Sequence, residues 1–143
     1  MTKAHGTVER WLAALPDPAT QERVHSDFWY VRLPGVARQW IPVEIEIGER
    51  TTKLTSRVII EPDEAHADVF RFLLRHNHQA TGVAFSIDGR EGVVSLVARV
   101  DNDELTVEKL DRLVGTMIEQ TETTFRSILQ IGFASRLRKG SSG

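Results

Sequence analysis

Apolar positions recur with two different spacings along this chain of 143 residues. Between Val8 and Leu15 they return every three or four residues, which is the spacing of one face of an α-helix, and Pro16 ends that helix. Between Ile41 and Ile47 every second residue is apolar, which predicts a strand with one buried and one solvent-facing side. The sequence therefore predicts a mixture of helices and half-buried strands.

Five segments have the alternation, or the aromatic and β-branched composition, that is typical of strands. They cover residues 28–33, 40–47, 53–60, 83–88 and 93–100. The last two flank Asp88-Gly89, which favours the tight turn of an antiparallel hairpin. Residues 19–26 are mostly polar, and we expect them to form a connection rather than a strand.

Two more helices are predicted between and after these strands. Pro62-Asp63-Glu64 opens the first, with acidic residues where the helix dipole favours them, and Asn77 is expected to end it as a left-handed cap. Thr106 is an N-cap for the second, whose apolar period extends over residues 107–138. The order of elements is then helix, three strands, helix, two strands and a long C-terminal helix.

This order is accommodated most simply by an α+β fold, in which helices cover one face of a five-stranded antiparallel sheet. We expect a single domain over residues 1–139 and a flexible tail over residues 140–143. The predicted core consists of the inward apolar positions of the strands and helices. They are Val43, Ile45, Val58, Ile60, Phe70, Leu73, Phe85, Leu96, Leu110, Val114 and Ile118. Val69 and Leu74 are also predicted to lie on the buried stripe of the helix that Pro62-Asp63-Glu64 opens.

The stretch over residues 69–114 is the most distinctive part of the chain. An amphipathic helix ends at Asn77, a strand begins at Gly82, a tight turn and a second strand follow, and a long helix comes after Leu105. This order and these residue types resemble the YbjN-like family of small bacterial proteins. That family is similar in fold to the dimeric chaperones of type III secretion.

The resemblance implies a type III secretion chaperone-like architecture, α-β-β-β-α-β-β-α, and a homodimeric, non-enzymatic protein of the bacterial cytoplasm. The family label is a regulator of bacterial signalling, and its structural relatives bind unfolded segments of other proteins. We therefore expect a protein-binding domain, chaperone-like or regulatory, that holds an unidentified protein partner. The alternative is a small enzyme or a small-ligand-binding protein with a cleft at the dimer seam.

Composition argues against several classes of function. The net charge of −2 and the pI of about 6.2 give no clustered excess of Lys and Arg for nucleic acid. No cysteine is present, which excludes disulfides, thiolate metal sites and Cys nucleophiles. No apolar run approaches the roughly 20 residues that span a bilayer, and the first residues lack the apolar segment of a signal peptide. We expect no nucleic-acid or membrane partner and a cytoplasmic location.

Three short motifs contain chemistry-bearing side chains, and each is explained more simply by structure. His76-Asn77-His78 offers two candidate metal ligands, but no third ligand follows at short spacing, and a helix end explains the motif better. His25-Ser26-Asp27 contains the residue types of a hydrolytic triad without the turn that such a nucleophile needs. Asp101-Asn102-Asp103-Glu104 lacks the spacing of a calcium loop. We predict no catalytic, cofactor-binding or metal-binding residues.

Large apolar side chains are in surplus at two places. Aromatic rings lie on both faces of the first strand, beside another ring at the start of the next, and the last helix has more apolar surface than one sheet face covers. Because exposed apolar patches usually mark contact surfaces, these residues are predicted to bind a partner. They are Phe28, Trp29, Tyr30, Trp40, Phe125, Ile128 and Phe133. The dimer seam is expected at a sheet edge, the second helix or the long C-terminal helix.

Overall fold

Residues 2–141 are described by the computed structural model, with side chains as far as residue 138. The helices are α1 (Lys3–Ala13), α2 (His66–Gln79), α3 (Val107–Gly132) and α4 (Ala134–Ser141), and a 3₁₀ turn covers Asn102–Glu104. The strands are β1 (Thr20–His25), β2 (Phe28–Pro34), β3 (Trp40–Ile47), β4 (Thr51–Ile59), β5 (Ala84–Ile87) and β6 (Val94–Asp101). None of these helices is long and apolar enough to cross a membrane. The predicted tail begins inside α4, and its residues 142–143 lie outside the described part.

The six strands join in one antiparallel sheet with the order β1-β2-β3-β4-β6-β5. β5 and β6 pair as the hairpin predicted around Asp88-Gly89, with Phe85 opposite Leu96. The fold is α+β as predicted, but the described part of the sheet has six strands rather than five.

The additional strand is β1, which lies in the segment predicted as a polar connection. All of its side chains are exposed, because it is an edge strand, and so no apolar alternation reveals it. It is held by its ladder with β2, where Arg23 lies opposite Trp29. The Arg23 guanidinium is 4.9 Å from the centre of the Trp29 ring, a cation–π distance. Backbone pairing, two ring contacts and polar side-chain contacts thus form a strand that has no hydrophobic pattern.

The core lies between the sheet and helices α1, α2 and α3. Most of the predicted core residues are in it. Val43, Ile45, Val58, Leu73, Phe85, Leu96, Leu110 and Val114 are buried, and Phe70 and Ile118 are partly buried against them.

Two predicted core residues are exposed, and each has a geometric reason. Ile60 is 54 % exposed because β4 ends one residue before it, after a register shift between Arg57 and Ile59 that ends the alternation. Leu74 is 67 % exposed. The α-helix rotates by about 100° per residue, so Leu74 turns away from the sheet while Leu73 points into the core.

The start of α2 differs from the prediction. The helix begins at His66, after Ala65 in the left-handed region at φ +52°. The acidic side chains before it contact the C-terminal helix instead of the α2 dipole. Glu64 Oε1 accepts a hydrogen bond from the backbone N–H of Ser135 at 2.8 Å, which places a carboxylate at the N-terminus of α4.

The predicted continuous C-terminal helix is interrupted at Phe133, where φ is −136° and ψ is 27°. The carbonyl oxygen of Gly132 accepts hydrogen bonds from the backbone N–H groups of Asp63 and Glu64 at 3.0 and 3.2 Å. A Cβ on Gly132 would lie 2.9 Å from the Cβ of Pro62, so the close approach of these segments requires glycine. The segment before α2 therefore packs on the junction between α3 and α4 and ends the long helix there.

We predict that Glu64→Gln lowers the stability of the protein near neutral pH but not in acid. Hydrogen bonds from Ser135, first from its backbone N–H and then from its hydroxyl, hold the pKa of the Glu64 carboxyl below its ordinary value of 4.5. A lowered pKa in the folded state gives stability that is present above the ordinary pKa and is lost as the pH falls through the lowered pKa.

Urea denaturation of the wild type and the variant at neutral pH and at a pH well below 4.5 measures this difference. Glu61→Gln, at a nearby exposed position, makes the same charge change and is the control. A deficit of Glu64→Gln that is equally large at both pH values would contradict the role of the ionised carboxylate.

Candidate functional site

Within residues 2–141 the helices pack on one face of the sheet, and the other face, the outer face, carries exposed or half-buried side chains. Its principal residues are Phe28, Tyr30, Arg32, Pro34, Trp40, Pro42, Glu44, Glu46, Lys53, Thr55, Arg57, Ala84, Ser86, Val97 and Arg99. The strand period of two puts every second residue of β2, β3, β4 and β6 on this face. The outer face is thus a continuous surface on which side chains from five strands lie side by side.

Aromatic rings occupy the part of the outer face formed by β2 and β3. Tyr30 lies opposite Glu44 in the ladder, and the guanidinium of Arg32 is 4.8 Å from the centre of the Trp40 ring. Together with Phe28, these rings are half-buried. They therefore keep accessible apolar surface while their neighbours restrict their motion.

A groove of about 720 Å³ crosses β4, β6 and β5 on the outer face and is bounded by the end of α2 and the loop before β5. Its basic side chains are Lys53, Arg57 and Arg99, and its acidic ones are Glu44 and Asp88. Its floor consists of small, hydroxyl-bearing and β-branched side chains. The polar lining and the open shape differ from the mostly apolar, concave pockets that usually bind small molecules.

Several charges in the groove are already paired. Arg57 Nε lies 3.4 Å from Glu44 Oε1, and Arg57 Nη1 lies 3.2 Å from Glu91 Oε2. Asp88 Oδ1 accepts a hydrogen bond from the backbone N–H of Arg90 at 2.7 Å. This bond and a second one, from the backbone N–H of Glu91, lower the pKa of the Asp88 carboxyl. The positive charges of Arg57 and Lys53 lower this pKa further by a smaller amount. The Asp88 carboxylate is therefore part of the β5–β6 turn.

The predicted partner-binding residues fall into two groups, of which the first has accessible surface. Phe28, Tyr30 and Trp40 lie on the outer face. Phe125 is half-buried on α3, with the Arg38 guanidinium 5.9 Å from the centre of its ring. Phe125 is therefore separate from the outer-face aromatic residues.

The second group is buried in the core of a single chain. Trp29 points inward from β2, and its ring centre is 6.1 Å from that of His5 on α1. Ile128 lies on the buried stripe of α3, and Phe133 lies at the α3–α4 junction. The sequence shows that these residues are large and apolar, but it does not show which side of the strand or helix the core occupies.

A second groove, of about 230 Å³, lies between α2 and β5 at the edge of the sheet. It is lined by Phe70, Leu73, Leu74, Asn77, Phe85, Ser86, Ile87 and Val94. Leu74 is 67 % exposed and Ile87 is 45 % exposed. Adjacent exposed apolar side chains of this kind usually mark a contact surface. The groove lies at a sheet edge and on the second helix, two of the places where the sequence predicts the dimer seam, although Leu74 itself was predicted to be buried.

Asn77 lies inside α2, so the left-handed cap predicted there is wrong. Its side-chain amide reaches the edge strand instead. Oδ1 accepts a hydrogen bond from the backbone N–H of Phe85 at 2.6 Å, and Nδ2 donates to the Phe85 carbonyl oxygen at 3.1 Å. These two bonds are the ones that an antiparallel neighbour would make to Phe85. The amide therefore occupies the centre of the β5 edge.

The remaining chemistry-bearing motifs have structural roles. The ring of His76 packs against Phe72, with 4.7 Å between their centres. In the turn between β1 and β2, the backbone N–H of Asp27 donates to His25 Nδ1 at 3.2 Å, and Asp27 Oδ1 lies 2.7 Å from His5 Nε2 on α1. Among residues 2–141, no three His, Cys, Asp or Glu side chains are grouped so that they could hold a metal ion.

The family model YbjN, described as "Putative bacterial sensory transduction regulator", matches residues 7–130. The matched region contains the whole sheet and most of the three helices that cover it. The chain belongs to the YbjN family.

Solved structures at low sequence identity share the fold of this YbjN-family chain. A chain of the ExoU–SpcU complex from the type III secretion system of Pseudomonas aeruginosa gives a TM-score of 0.61 at 20 % identity, covering 83 % of this chain and 95 % of that chain. The structure of the Yersinia pestis type III secretion chaperone SycH with a fragment of YscM2 gives 0.56 at 12 % identity, covering 85 % and 98 %. YbjN from E. coli gives 0.55 at 18 % identity, covering 85 % and 87 %. The fold is therefore type III secretion chaperone-like, as the resemblance implied.

An uncharacterised protein of Mycobacterium tuberculosis is 32 % identical over 109 residues. The aligned region is 76 % of this chain and 59 % of that relative, so the chain spans less than two thirds of the length of the curated relatives that it matches. These relatives contain additional sequence outside the aligned region.

We predict that Asn77→Ala destabilises the protein by roughly 1–3 kcal/mol, because it leaves the N–H and carbonyl groups of Phe85 without their partners. Asn77→Asp keeps the acceptor for the Phe85 N–H but places a carboxylate oxygen against the Phe85 carbonyl oxygen, so it should also be less stable than the wild type. Urea denaturation gives the free energies of unfolding, and amide hydrogen exchange at Phe85 reports the local opening of the edge.

His78→Ala is the matched control for this prediction, because His78 is exposed on the same helix. Its effect should stay within about 0.5 kcal/mol. Equal stabilities of the Asn77→Ala and His78→Ala variants would show that the amide contact does not hold β5.

Proposed function

We propose that this YbjN-family protein is a non-enzymatic, chaperone-like or regulatory domain of the cytoplasm that holds a segment of a protein partner and acts as a homodimer. The observation that carries the proposal is the outer face. It combines accessible aromatic rings on β2 and β3 with a wide charged groove on β4, β6 and β5. Aromatic residues and arginine are enriched at protein interfaces, which makes this face suited to a polypeptide.

The similar structures support a protein partner. The ExoU–SpcU structure is a heterodimeric complex, and SycH was solved with a fragment of YscM2. The description of the YbjN family as a regulator of sensory transduction also fits a protein that acts through binding. The shared fold is the basis for extending this mode of action to the present chain.

The two edges of the sheet differ in their capacity to accept another strand, which favours strand addition at β1 over strand addition at β5. Extended segments often bind by adding a strand to a sheet edge. At β5 the central backbone groups are already bonded to Asn77. β1 has six residues and pairs with β2 on one side. A partner segment that extends the sheet would therefore add at β1.

The alternative of a small enzyme has less support in the part of the chain that the structure describes. An enzyme site needs convergent acid, base or nucleophilic groups in one pocket. The groove between α2 and β5 has Asn77 and Ser86 as its polar side chains. The groove on the outer face has charged side chains, but Arg57, Glu44 and Asp88 are already paired within the fold.

The proposed dimer seam is the groove between α2 and β5. A two-fold interface is self-complementary, so the exposed Leu74 of each copy would fill the groove of the other. Because Asn77 occupies the β5 edge, the two copies would meet through side chains rather than by strand pairing. A stable seam should bury at least about 1,000 Å² in total, so the surrounding surface of α2 would also contribute.

We predict that the wild-type chain sediments as a dimer of 16.1 kDa subunits at micromolar concentration and that Leu74→Glu is a monomer. The introduced charge is present twice in a two-fold seam, where it would be buried without a partner. Val24→Glu, at another exposed apolar residue on the opposite edge strand, is the control and should remain dimeric. A wild-type monomer at every concentration would contradict the homodimer.

The binding function is tested by affinity capture from a native bacterial lysate followed by mass spectrometry. We predict that the wild type retains a specific protein and that a Tyr30→Ser/Trp40→Ser double variant retains at least about tenfold less, because aromatic interface residues commonly contribute more than 1 kcal/mol each. Val36→Ser, at an exposed loop residue, should behave like the wild type.

Thermal melts establish that the variants are folded before capture is compared. Retention of the same proteins in the same amounts by the wild type and the double variant would contradict the role of the outer face. Recovery of no specific protein by the wild type would contradict the proposed function.

A further inference from the structure

Two cationic side chains meet in the groove on the outer face. Lys53 on β4 lies directly opposite Arg99 on β6, and both line the groove. Like charges at directly opposite positions destabilise a sheet. Glu46 lies opposite Lys53 on the other side, yet no ion pair or hydrogen bond joins Lys53 or Arg99 to another group within residues 2–141. Glu46 and the Asp88 carboxylate, whose pKa Lys53 helps to lower, offset part of the Lys53 charge without forming an ion pair with it, so Lys53 and Arg99 remain two like charges side by side.

The other charges of the groove are engaged elsewhere. Arg57 is bonded to Glu44 and Glu91, and Asp88 accepts the backbone N–H groups of its own turn. Lys53 and Arg99 are therefore the basic side chains of the groove that form no ion pair within residues 2–141. Carboxylates that contact such cations form hydrogen bonds that are stronger than those between neutral groups.

The floor beside the cationic pair suits an extended polypeptide. Two residues further along β4, on the same face, Thr55 lies opposite Val97 of β6, and Val97 lies opposite Ala84 of β5. The hydroxyl groups of Ser86 and Ser95 also line the groove. A segment lying across this floor would find shallow apolar contacts and hydroxyl groups along its length, in addition to the two charges.

We propose that the groove binds an acidic segment of a protein partner, with a carboxylate of that segment seated between Lys53 and Arg99. This inference rests on the proposed function and adds the chemistry of the partner. The charge of the pair selects an anion, and a groove of about 720 Å³ that crosses three strands favours a polypeptide. A polypeptide gains contacts along the floor that a small free anion does not make.

Fluorescence anisotropy of the full chain with labelled peptides tests the inference. The probe alternates Glu and Ala over about eight residues, and its partner peptide has Gln in place of Glu. The Glu peptide should bind at least about tenfold more tightly than the Gln peptide, and added salt should reduce the difference because the charges are solvent-accessible.

In the Lys53→Gln/Arg99→Gln variant the preference for the Glu peptide should disappear. The control Arg112→Gln/Arg126→Gln removes the same charge from exposed positions of α3 and should keep the preference.

The thermal midpoint of the Lys53→Gln/Arg99→Gln variant should equal or exceed that of the wild type, because the repulsion is removed. A lower midpoint would show that the pair supports the fold and would overturn the inference.

Two other results would also overturn it. One is equal binding of the Glu and Gln peptides by the wild type. The other is binding of free succinate as tightly as the Glu peptide, which would identify a small-anion site. In either case the lysate capture still reports on the outer-face aromatic residues, so failure of the acidic-segment inference is distinguishable from failure of the proposed function.

Discussion

The structure depends on the burial of one face of an antiparallel sheet. Val31, Val43, Ile45 and Leu54 alternate with polar or half-buried neighbours and are fully buried beneath the helices. A slip of one residue in any ladder would move a whole row of apolar side chains to solvent. The hydrophobic effect on the inner face therefore fixes the register of the strands.

Because the register is fixed from the inner face, the arrangement of the outer face follows from it. Tyr30 is held beside Glu44, and Lys53 is held opposite Arg99, although neither pairing contributes to the core. The outer side chains can therefore vary in chemistry without altering the fold. This separation allows chains with few residues in common to share the fold while their outer faces differ.

The sequence predicts the elements with strong periodicity and misses those held by particular polar contacts. The β5–β6 hairpin and the N-cap at Thr106 follow from alternation and local chemistry. β1 has no apolar pattern, since its order comes from the ladder to β2. The break at Phe133 depends on backbone hydrogen bonds to Gly132 from a segment about 70 residues away in the chain, which no local pattern contains.

The aromatic part of the candidate site could be predicted from the sequence, but its charged part could not. Surplus aromatic residues indicated a contact surface, and Phe28, Tyr30 and Trp40 lie together on the outer face. Trp29 belongs to the same run of aromatic residues but points into the core, because adjacent residues of a strand point to opposite faces. The cationic pair could not be predicted, since Lys53 and Arg99 become neighbours only when β4 and β6 pair.

The amide of Asn77 has a consequence for how copies of this chain can assemble. A sheet with two open edges can pair β1 of one copy with β5 of the next, a head-to-tail contact that does not close and therefore builds fibres. Asn77 satisfies the centre of one edge from within the same chain. Strand addition then has a single available end and stops after one added segment. One helical amide thereby blocks open-ended polymerisation through the β5 edge, while the opposite edge stays open to strand pairing.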